Sequence, residues 1–189
     1  MTELTDLPPE LPVPEDDGAA DHLPGLRLPS LRLPSTAGDA VALDHLGPGR
    51  TVIYVYPMTR QPDADLPDGW LSIPGASGCT PEACGFRDHH AELRAAGAAR
   101  VFGLSSQDTD YQREVVDRLR LPFGMLADPE LSLATALGLP TFQAGGMTLY
   151  RRLTMVIKDG VVEYVFYPVF PPEEHAGEVL TWLSAADGE

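Results

Sequence analysis

The chain has 189 residues, of which 43% are hydrophobic and 22% are charged, the ordinary balance of a globular protein with one core. The formal net charge of -15 makes binding to nucleic-acid phosphates or to an anionic membrane surface electrostatically unfavourable. No apolar run approaches the ~20 residues of a membrane-spanning helix, so we predict neither a nucleic-acid partner nor a membrane partner.

The first part of the chain, residues 1–24, is acidic and rich in proline and contains no lysine or arginine. Such a composition cannot bury enough apolar surface to offset the entropy lost on folding. We therefore predict a disordered or loosely attached tail over 1–24 and one domain over 25–189. The sequence starts without the basic and apolar stretches of a secretory signal, so we expect a cytoplasmic location in which cysteines stay reduced.

Strands and helices alternate along the rest of the chain. Residues 51–56 are β-branched and aromatic and predict a buried strand, and the long loop 58–78 after it has no periodicity. The later predicted elements are a helix over 81–96, a strand over 100–105, a helix over 109–119, a strand over 123–127, a helix over 129–137, two strands over 149–157 and 161–167 joined by an Asp-Gly turn, and a helix over 172–185. This pattern predicts an α/β fold with a central mixed sheet covered by helices on both faces.

The only two cysteines, Cys79 and Cys84, lie where the long loop meets the next helix. Thr80, Pro81 and Glu82 offer that helix a hydroxyl cap, a proline at the first helical position and an acid in the first turn. A helix N-terminus lowers a cysteine pKa and so favours the thiolate, which is the nucleophilic form. We therefore interpret the pair as a redox site.

Other interpretations of this region are weaker. A zinc site needs four ligands, and no second pair of cysteine or histidine residues with suitable spacing accompanies the two cysteines, so we predict neither a metal nor a cofactor. His89 and His90 stand beside the pair, but their position two turns into the helix favours packing over catalysis. Trp70 is expected to anchor the long loop rather than to cover a pocket.

The run of residues 78–88, which begins Gly-Cys-Thr-Pro-Glu and has its second cysteine at Cys84, resembles the active site of peroxiredoxins. The match is to the bacterioferritin-comigratory or Q-type group, the atypical two-cysteine group of the alkyl hydroperoxide reductase and thiol-specific antioxidant family. It extends over about residues 26–183, including 51–57 and 152–157. The resemblance implies a thioredoxin-like fold and an enzyme that reduces hydrogen peroxide and organic hydroperoxides.

The same resemblance assigns roles to single residues. Cys79 matches the peroxidatic cysteine, whose thiolate becomes a sulfenic acid, and Cys84 matches the resolving cysteine that forms a disulfide with it. Arg152 matches the arginine directed at the thiolate, with Arg151 on the opposite face of the strand, and Glu82 matches an acid that holds the arginine. Thioredoxin or a similar dithiol is the implied reductant, and we expect a monomer or weak homodimer.

The chain departs from this family just before Cys79. The family has a proline seven residues and a Thr or Ser three residues before the peroxidatic cysteine, and here these positions are Ser72 and Ala76. Ser77 is the candidate for the missing hydroxyl, and Pro57 is the candidate for the proline, displaced by an insertion. If these substitutes fail, a thiol-disulfide oxidoreductase or a redox-sensing module with weak peroxidase activity becomes the alternative function.

The spacing of the cysteines also has a geometric consequence. On an intact helix, Cα atoms five residues apart lie about 8.7 Å from each other, whereas a disulfide requires a separation of at most about 6.8 Å. We predict that oxidation unwinds the first turn or two of the helix that carries Cys79 and Cys84.

Overall fold

The computed structural model describes residues 8–187. Its helices and strands are, in chain order, β1 (Arg32–Leu33), β2 (Val41–Ala42), β3 (Arg50–Val55), α1 (Cys79–Asp88), α2 (His90–Ala95), β4 (Ala98–Ser105), α3 (Thr109–Leu119), β5 (Met125–Ala127), α4 (Ser132–Leu137), β6 (Thr141–Ala144), β7 (Met147–Tyr150), β8 (Leu153–Lys158), β9 (Val161–Phe166) and α5 (His175–Ala186). Short 3-10 helices occupy Trp70–Ser72 and Pro172–Glu174.

A five-stranded mixed sheet forms the centre of the protein, with strand order β5-β4-β3-β8-β9. Strands β3, β4 and β5 are parallel, and β8 runs antiparallel to both β3 and β9. Every residue of β3 is buried, as expected for a central strand covered on both faces. The prediction of a thioredoxin-like fold with a central mixed sheet is confirmed.

Each face of the sheet has its own apolar core. On one face, β3 side chains such as Ile53 pack with Leu133 of α4 and with the segments before β3. On the other face, Val52 and Tyr54 pack with residues of α1, α3 and α5, among them Phe86 and Val179. This second layer holds α1 against the sheet. None of the helices within residues 8–187 combines the length and apolarity needed to cross a membrane.

The predicted helix over 81–96 is two helices, α1 and α2, which meet at His89. Helix α1 starts at Cys79, and Gly78 precedes it with a φ of 108°. The prediction that Thr80 caps this helix is wrong, because Gly78 adopts the positive φ that ends the loop and places Thr80 inside the helix. Pro81 is tolerated because N–H groups of a first turn have no partner within the helix.

One predicted strand also differs from the structure. The predicted strand over 149–157 is divided into β7 and β8, which belong to different sheets. Strand β7 pairs with β6 through a turn at Gly145 and Gly146, whose φ values are 55° and 76°. The glycine pair was the available signal for this hairpin. The hairpin between β8 and β9 is as predicted, with Asp159 and Gly160 at positive φ.

Residues 1–7 of the predicted tail lie outside the described residues. The prediction of a disordered or loosely attached tail is wrong for the last residues of the predicted tail, because Leu23 is fully buried and Ala20 is only 6% exposed. The N–H of Gly25 also donates to β9 at 2.8 Å. One tight turn places these apolar side chains in the core, and a single turn leaves no periodic pattern in the sequence.

The long loop 58–78 has a small core of its own. Trp70 is 4% exposed and packs with Ala76 and with Leu149 of β7. Its ring centroid lies 6.0 Å from that of Phe142 on β6. Trp70 therefore anchors the loop to the β6–β7 hairpin, as the sequence predicts.

Candidate active site

Cys79 is the first residue of α1 and lies under the loop that leads into it. The residue is 5% exposed, and its thiol donates to the carbonyl oxygen of Ala76 at 3.8 Å. Helix α1 is ten residues long, so its free N–H groups and the positive end of its dipole lie at this sulfur. The Cys79 sulfur is thus enclosed, and a substrate must pass the surrounding groups to reach it.

Arg152, between β7 and β8, is the cation at this sulfur. Its Nη2 donates to Cys79 Sγ at 3.2 Å and to the carbonyl oxygens of Ala76 and Ser77, each at 3.2 Å. Its Nε donates to the carbonyl oxygen of Gly75 at 3.3 Å. The guanidinium is buried, with the residue 4% exposed. Three loop carbonyls therefore hold one fixed orientation of Arg152, with an N–H directed at the thiol.

Glu82, also on α1, completes this arrangement. The side chain is fully buried, and its Oε2 accepts a hydrogen bond from Arg152 Nη1. Its other oxygen, Oε1, has no hydrogen-bond partner within the described part of the chain. Burial raises the pKa of Glu82 to about 7, although the charge and hydrogen bond of Arg152 act in the opposite direction.

The Cys79 thiol itself is not strongly acidic in this setting. Burial raises its pKa above the ordinary value, and the Glu82 charge adds to the increase. The charge of Arg152, its hydrogen bond and a backbone hydrogen bond from Met58 lower the pKa but do not reverse the direction. Burial therefore opposes the stabilisation of the thiolate that Arg152 provides.

The candidate hydroxyl of Ser77 makes no hydrogen bond to Cys79 within the described part of the chain. Ser77 contributes its carbonyl to Arg152, and its buried Oγ has no hydrogen-bond partner among residues 8–187. Thr59, close to Pro57 and Met58, is also committed elsewhere, since its Oγ1 donates to Gln107 at 3.1 Å. Met58 is the contact that sequence reasoning missed, and a backbone donor gives no signal in residue type.

Cys84 lies on the same helix as Cys79, and both are free thiols. Cys84 is partly exposed, and burial raises its pKa, while the nearby charge of Arg87 acts in the opposite direction. Helix α1 is unbroken between the two cysteines. Because the helical separation exceeds that of a disulfide, the two sulfurs cannot bond in this conformation.

The neighbouring basic residues and histidines have other contacts. Arg151 places its guanidinium 5.8 Å from the ring centroid of Phe142, away from the thiol. His89 pairs with Glu92 at 3.0 Å, and His90 packs on the Phe123 ring. Within residues 8–187, no group of three or more His, Cys, Asp or Glu side chains is arranged to hold a metal ion.

A cavity of about 380 Å³ adjoins this site at Arg152. Its walls come from the N-terminal segment, from the loop before α1 and from the hairpin strands and the turn after β9. The lining residues are Val13, Pro14, Glu15, Asp17, Ile73, Pro74, Gly75, Phe142, Arg151, Arg152, Tyr167, Pro168 and Val169.

Known proteins are similar to this chain in sequence and in fold. A family model described as Redoxin matches residues 23–180. "Peroxiredoxin Q, chloroplastic" of Oryza sativa subsp. japonica is 34% identical over 149 residues, which cover 78% of this chain and 60% of that protein. The crystal structure of peroxidoxin BcpB from Mycobacterium tuberculosis has a TM-score of 0.69 at 26% identity and covers 86% of this chain and 97% of that one.

The fold is shared more widely than the sequence. Peroxiredoxin Q from Xanthomonas campestris superposes with a TM-score of 0.66 at 23% identity, over 86% of this chain and 97% of that one. The chain spans about 60% of the length of the curated rice relatives that it matches.

Proposed function

The chain belongs to the Redoxin family, in its Q-type peroxiredoxin group, and from this membership we propose that it is a thiol-dependent peroxidase reducing hydrogen peroxide and organic hydroperoxides. The observation that carries this proposal is the 3.2 Å contact between Arg152 Nη2 and Cys79 Sγ. A buried thiol with a fixed cation beside it is suited to attack on a peroxide oxygen, because the cation stabilises both the thiolate and the departing oxygen.

In the first step, the Cys79 thiolate attacks the terminal oxygen of the hydroperoxide. An S–O bond forms as the O–O bond breaks, and the departing oxygen takes up a proton to leave as an alcohol or as water. Cys79 is thereby oxidised to a sulfenic acid. Arg152 acts on the oxygens of the peroxide, and Glu82 keeps Arg152 in place, which is a positioning role supported by their buried hydrogen bond.

In the second step, the Cys84 thiolate attacks the Cys79 sulfur, a disulfide forms and water leaves. This step requires α1 to unwind, because the helix keeps the two sulfurs apart. Gly85 makes the helix easier to open, since it lowers helix propensity.

The cycle closes when an external dithiol reduces the Cys79–Cys84 disulfide, and thioredoxin or a similar protein is the proposed partner. The proposed cycle requires a reducing compartment, and a cytoplasmic location is the prediction for this chain, whereas the rice relative is named as chloroplastic. A monomeric or weakly dimeric state also remains a prediction. Sedimentation at micromolar concentration tests the latter.

A second function is favoured by one specific observation. Ala76 stands at the family's hydroxyl position, and the Ser77 hydroxyl has no partner among the residues the structure describes. A site without that donor can be slow toward peroxide and still exchange disulfides. The alternative is therefore a thiol-disulfide oxidoreductase or redox-sensing module with weak peroxidase activity.

One experiment separates these functions. Peroxide consumption is coupled to a thioredoxin system and measured for the wild type, Cys79→Ser and Cys84→Ser. We expect turnover in the wild type, none in Cys79→Ser, and in Cys84→Ser a single sulfenic acid equivalent without sustained thioredoxin-dependent turnover. Disulfide exchange without peroxide-dependent turnover in the wild type would instead establish the alternative.

A further inference from the structure

The N-terminal segment over residues 11–17, which we call the strap, crosses the mouth of the cavity at Arg152. We propose that the strap forms the outer wall of a subsite for the carbon substituent of a neutral organic hydroperoxide, and that it gives such substrates an advantage over hydrogen peroxide. This inference rests on the proposed peroxidase function and adds a specificity determinant to it.

The strap is held against the loop that positions the arginine. Val13, Pro14, Glu15 and Asp17 all line the cavity. A Cβ on Gly75 would lie 3.5 Å from Pro14 Cβ, so strap and loop are already in close approach. The carbonyl oxygen of Gly75 is one of the acceptors for Arg152. The strap thus contacts the same loop that fixes the guanidinium.

A second contact holds the end of the strap. The hydroxyl of Tyr167, which follows β9, donates to Asp17 Oδ1 at 3.0 Å. The ring of Tyr167 itself lines the cavity. Beyond Asp17, the chain enters the core through Ala20 and Leu23. The strap is therefore tethered at one end by buried side chains and lines the cavity with Val13, Pro14, Glu15 and Asp17.

The cavity reaches the arginine that contacts the Cys79 sulfur. Arg152 is part of the cavity wall, and its Nη2 lies 3.2 Å from Cys79 Sγ. Cys79 is 5% exposed and is not part of the lining, so the sulfur lies behind the guanidinium. A hydroperoxide whose O–O group reaches Cys79 beside Arg152 leaves its substituent in the cavity.

The size of the cavity favours a substrate larger than hydrogen peroxide. Its volume is about 380 Å³. A water molecule occupies roughly 30 Å³ in the liquid, and hydrogen peroxide is smaller than two waters. Cavities that bind small organic molecules begin at roughly 300 Å³. Hydrogen peroxide therefore gains little from these walls, whereas an organic substituent can displace water from them.

The chemistry of the walls favours a neutral and apolar substituent. Apolar side chains come from every wall segment, namely Val13, Pro14, Ile73, Phe142 and Val169. The strap also places Glu15 and Asp17 at the cavity, and these acids repel an anionic substituent. Arg151, the other cation in the lining, is directed at the Phe142 ring. The two acids and the two arginines of the lining balance in formal charge, so the walls offer an anionic substituent no net attraction, whereas the apolar side chains favour a neutral one.

The test introduces a charge into the strap and keeps the chain at full length. In Val13→Asp, kcat/KM for cumene hydroperoxide should fall about tenfold, the size of effect that a lost apolar contact has in a substrate pocket. The value for hydrogen peroxide should stay within twofold. Leu71→Asp is the matched control, since Leu71 is 51% exposed and outside the cavity lining. Tyr167→Phe, which loses only the bond to Asp17, should give a smaller fall in the same direction.

The outcomes distinguish the two proposals. If the wild type reduces both peroxides and Val13→Asp lowers both equally, or neither, the strap is not a specificity determinant and the peroxidase function stands. If the wild type reduces neither peroxide, the peroxidase function is overturned and the subsite with it. A fall confined to cumene hydroperoxide, absent in Leu71→Asp, supports the strap subsite.

Discussion

Cys79, the first residue of helix α1, and Cys84, in the middle of the helix, lie in different environments. At the first turn, Cys79 and Glu82 are buried and share Arg152 through hydrogen bonds. Six residues beyond Glu82, Asp88 makes an exposed ion pair with Arg87. Cys79 thus lies in a buried polar network, whereas Cys84 is partly exposed and lies closer to the exposed end of the helix. The difference indicates that the network at the first turn must open before a disulfide forms.

The largest expected effect comes from the shared arginine. Arg152→Lys keeps a positive charge but loses the planar set of donors that reaches three carbonyls and the thiol together. We expect kcat/KM for hydrogen peroxide to fall by about 10²- to 10³-fold, as when one oriented donor is removed from an active site. Arg113→Lys, on the exposed face of α3, is the control and should stay within twofold of the wild type. An unaffected Arg152→Lys enzyme would contradict this role of the arginine.

The second effect concerns the stability of the first turn. Glu82→Ala removes the buried acceptor of an Arg152 hydrogen bond and leaves a cavity at the first turn. Truncating a buried side chain and leaving its partner unpaired costs about 3 kcal/mol of unfolding free energy, which denaturant unfolding near pH 8 measures. Glu92→Ala removes the exposed partner of His89 and should change stability by less than about 0.5 kcal/mol. Equal losses in the two variants would show that burial at the first turn has no energetic importance.

The third effect is a pH dependence of stability that arises from His175, which packs against α1. His175 is fully buried against Phe86, and burial lowers its pKa to about 3, with the Arg152 charge acting in the same direction. A histidine whose pKa is lower in the folded than in the unfolded state contributes stability that is fully present above the unfolded-state pKa. This stability is lost as the pH falls below that pKa. Between pH 7 and pH 5 this loss is about 2 kcal/mol.

The raised pKa of Glu82 acts in the opposite sense, because that carboxyl gains stability as pH falls through its folded value. The His175 contribution is therefore read as the difference between the wild type and His175→Gln, which can keep a hydrogen bond to Thr154. We expect the wild type to lose about 2 kcal/mol more than the variant from pH 7 to pH 5. Parallel pH profiles would exclude His175 as the titrating group.

The smallest effect is expected at the other end of the helix. Asp88→Asn removes the ion pair with Arg87. The Arg87 side chain is 34% exposed, and the Asp88 side chain is 64% exposed. Exposed pairs contribute little, so the unfolding free energy should change by less than about 0.5 kcal/mol. A loss comparable to that of Glu82→Ala would remove the contrast between the two ends of α1.

Local patterns in the sequence predicted much of the fold. Helix α3 has the predicted bounds, Thr109–Leu119, because Asp108 caps it with a hydrogen bond to the Tyr111 N–H. The Asp-Gly turn between β8 and β9 was equally clear, since its positive φ values need those residue types. Such features depend on neighbours in the chain, and they can be predicted without knowledge of the tertiary structure.

The candidate site was predictable only in part. The residues that meet there, Cys79, Glu82 and Arg152, follow from the family resemblance. The carbonyl acceptors of Arg152 and the backbone donor at Met58 do not, because backbone groups are the same in every residue. The direction of the Cys79 pKa also depends on burial by distant segments, which spacing along the chain does not report.

The central claim is that Cys79 reacts with peroxide and that Cys84 resolves it through unwinding of α1. It is tested by hydrogen exchange on reduced protein and on protein treated with one equivalent of hydrogen peroxide, with peptide mapping of the disulfide. We predict a Cys79–Cys84 disulfide and a loss of protection over residues 79–88, while α3 remains protected. Identical protection of residues 79–88 in both samples, or oxidation that leaves Cys79 unmodified, would contradict the claim.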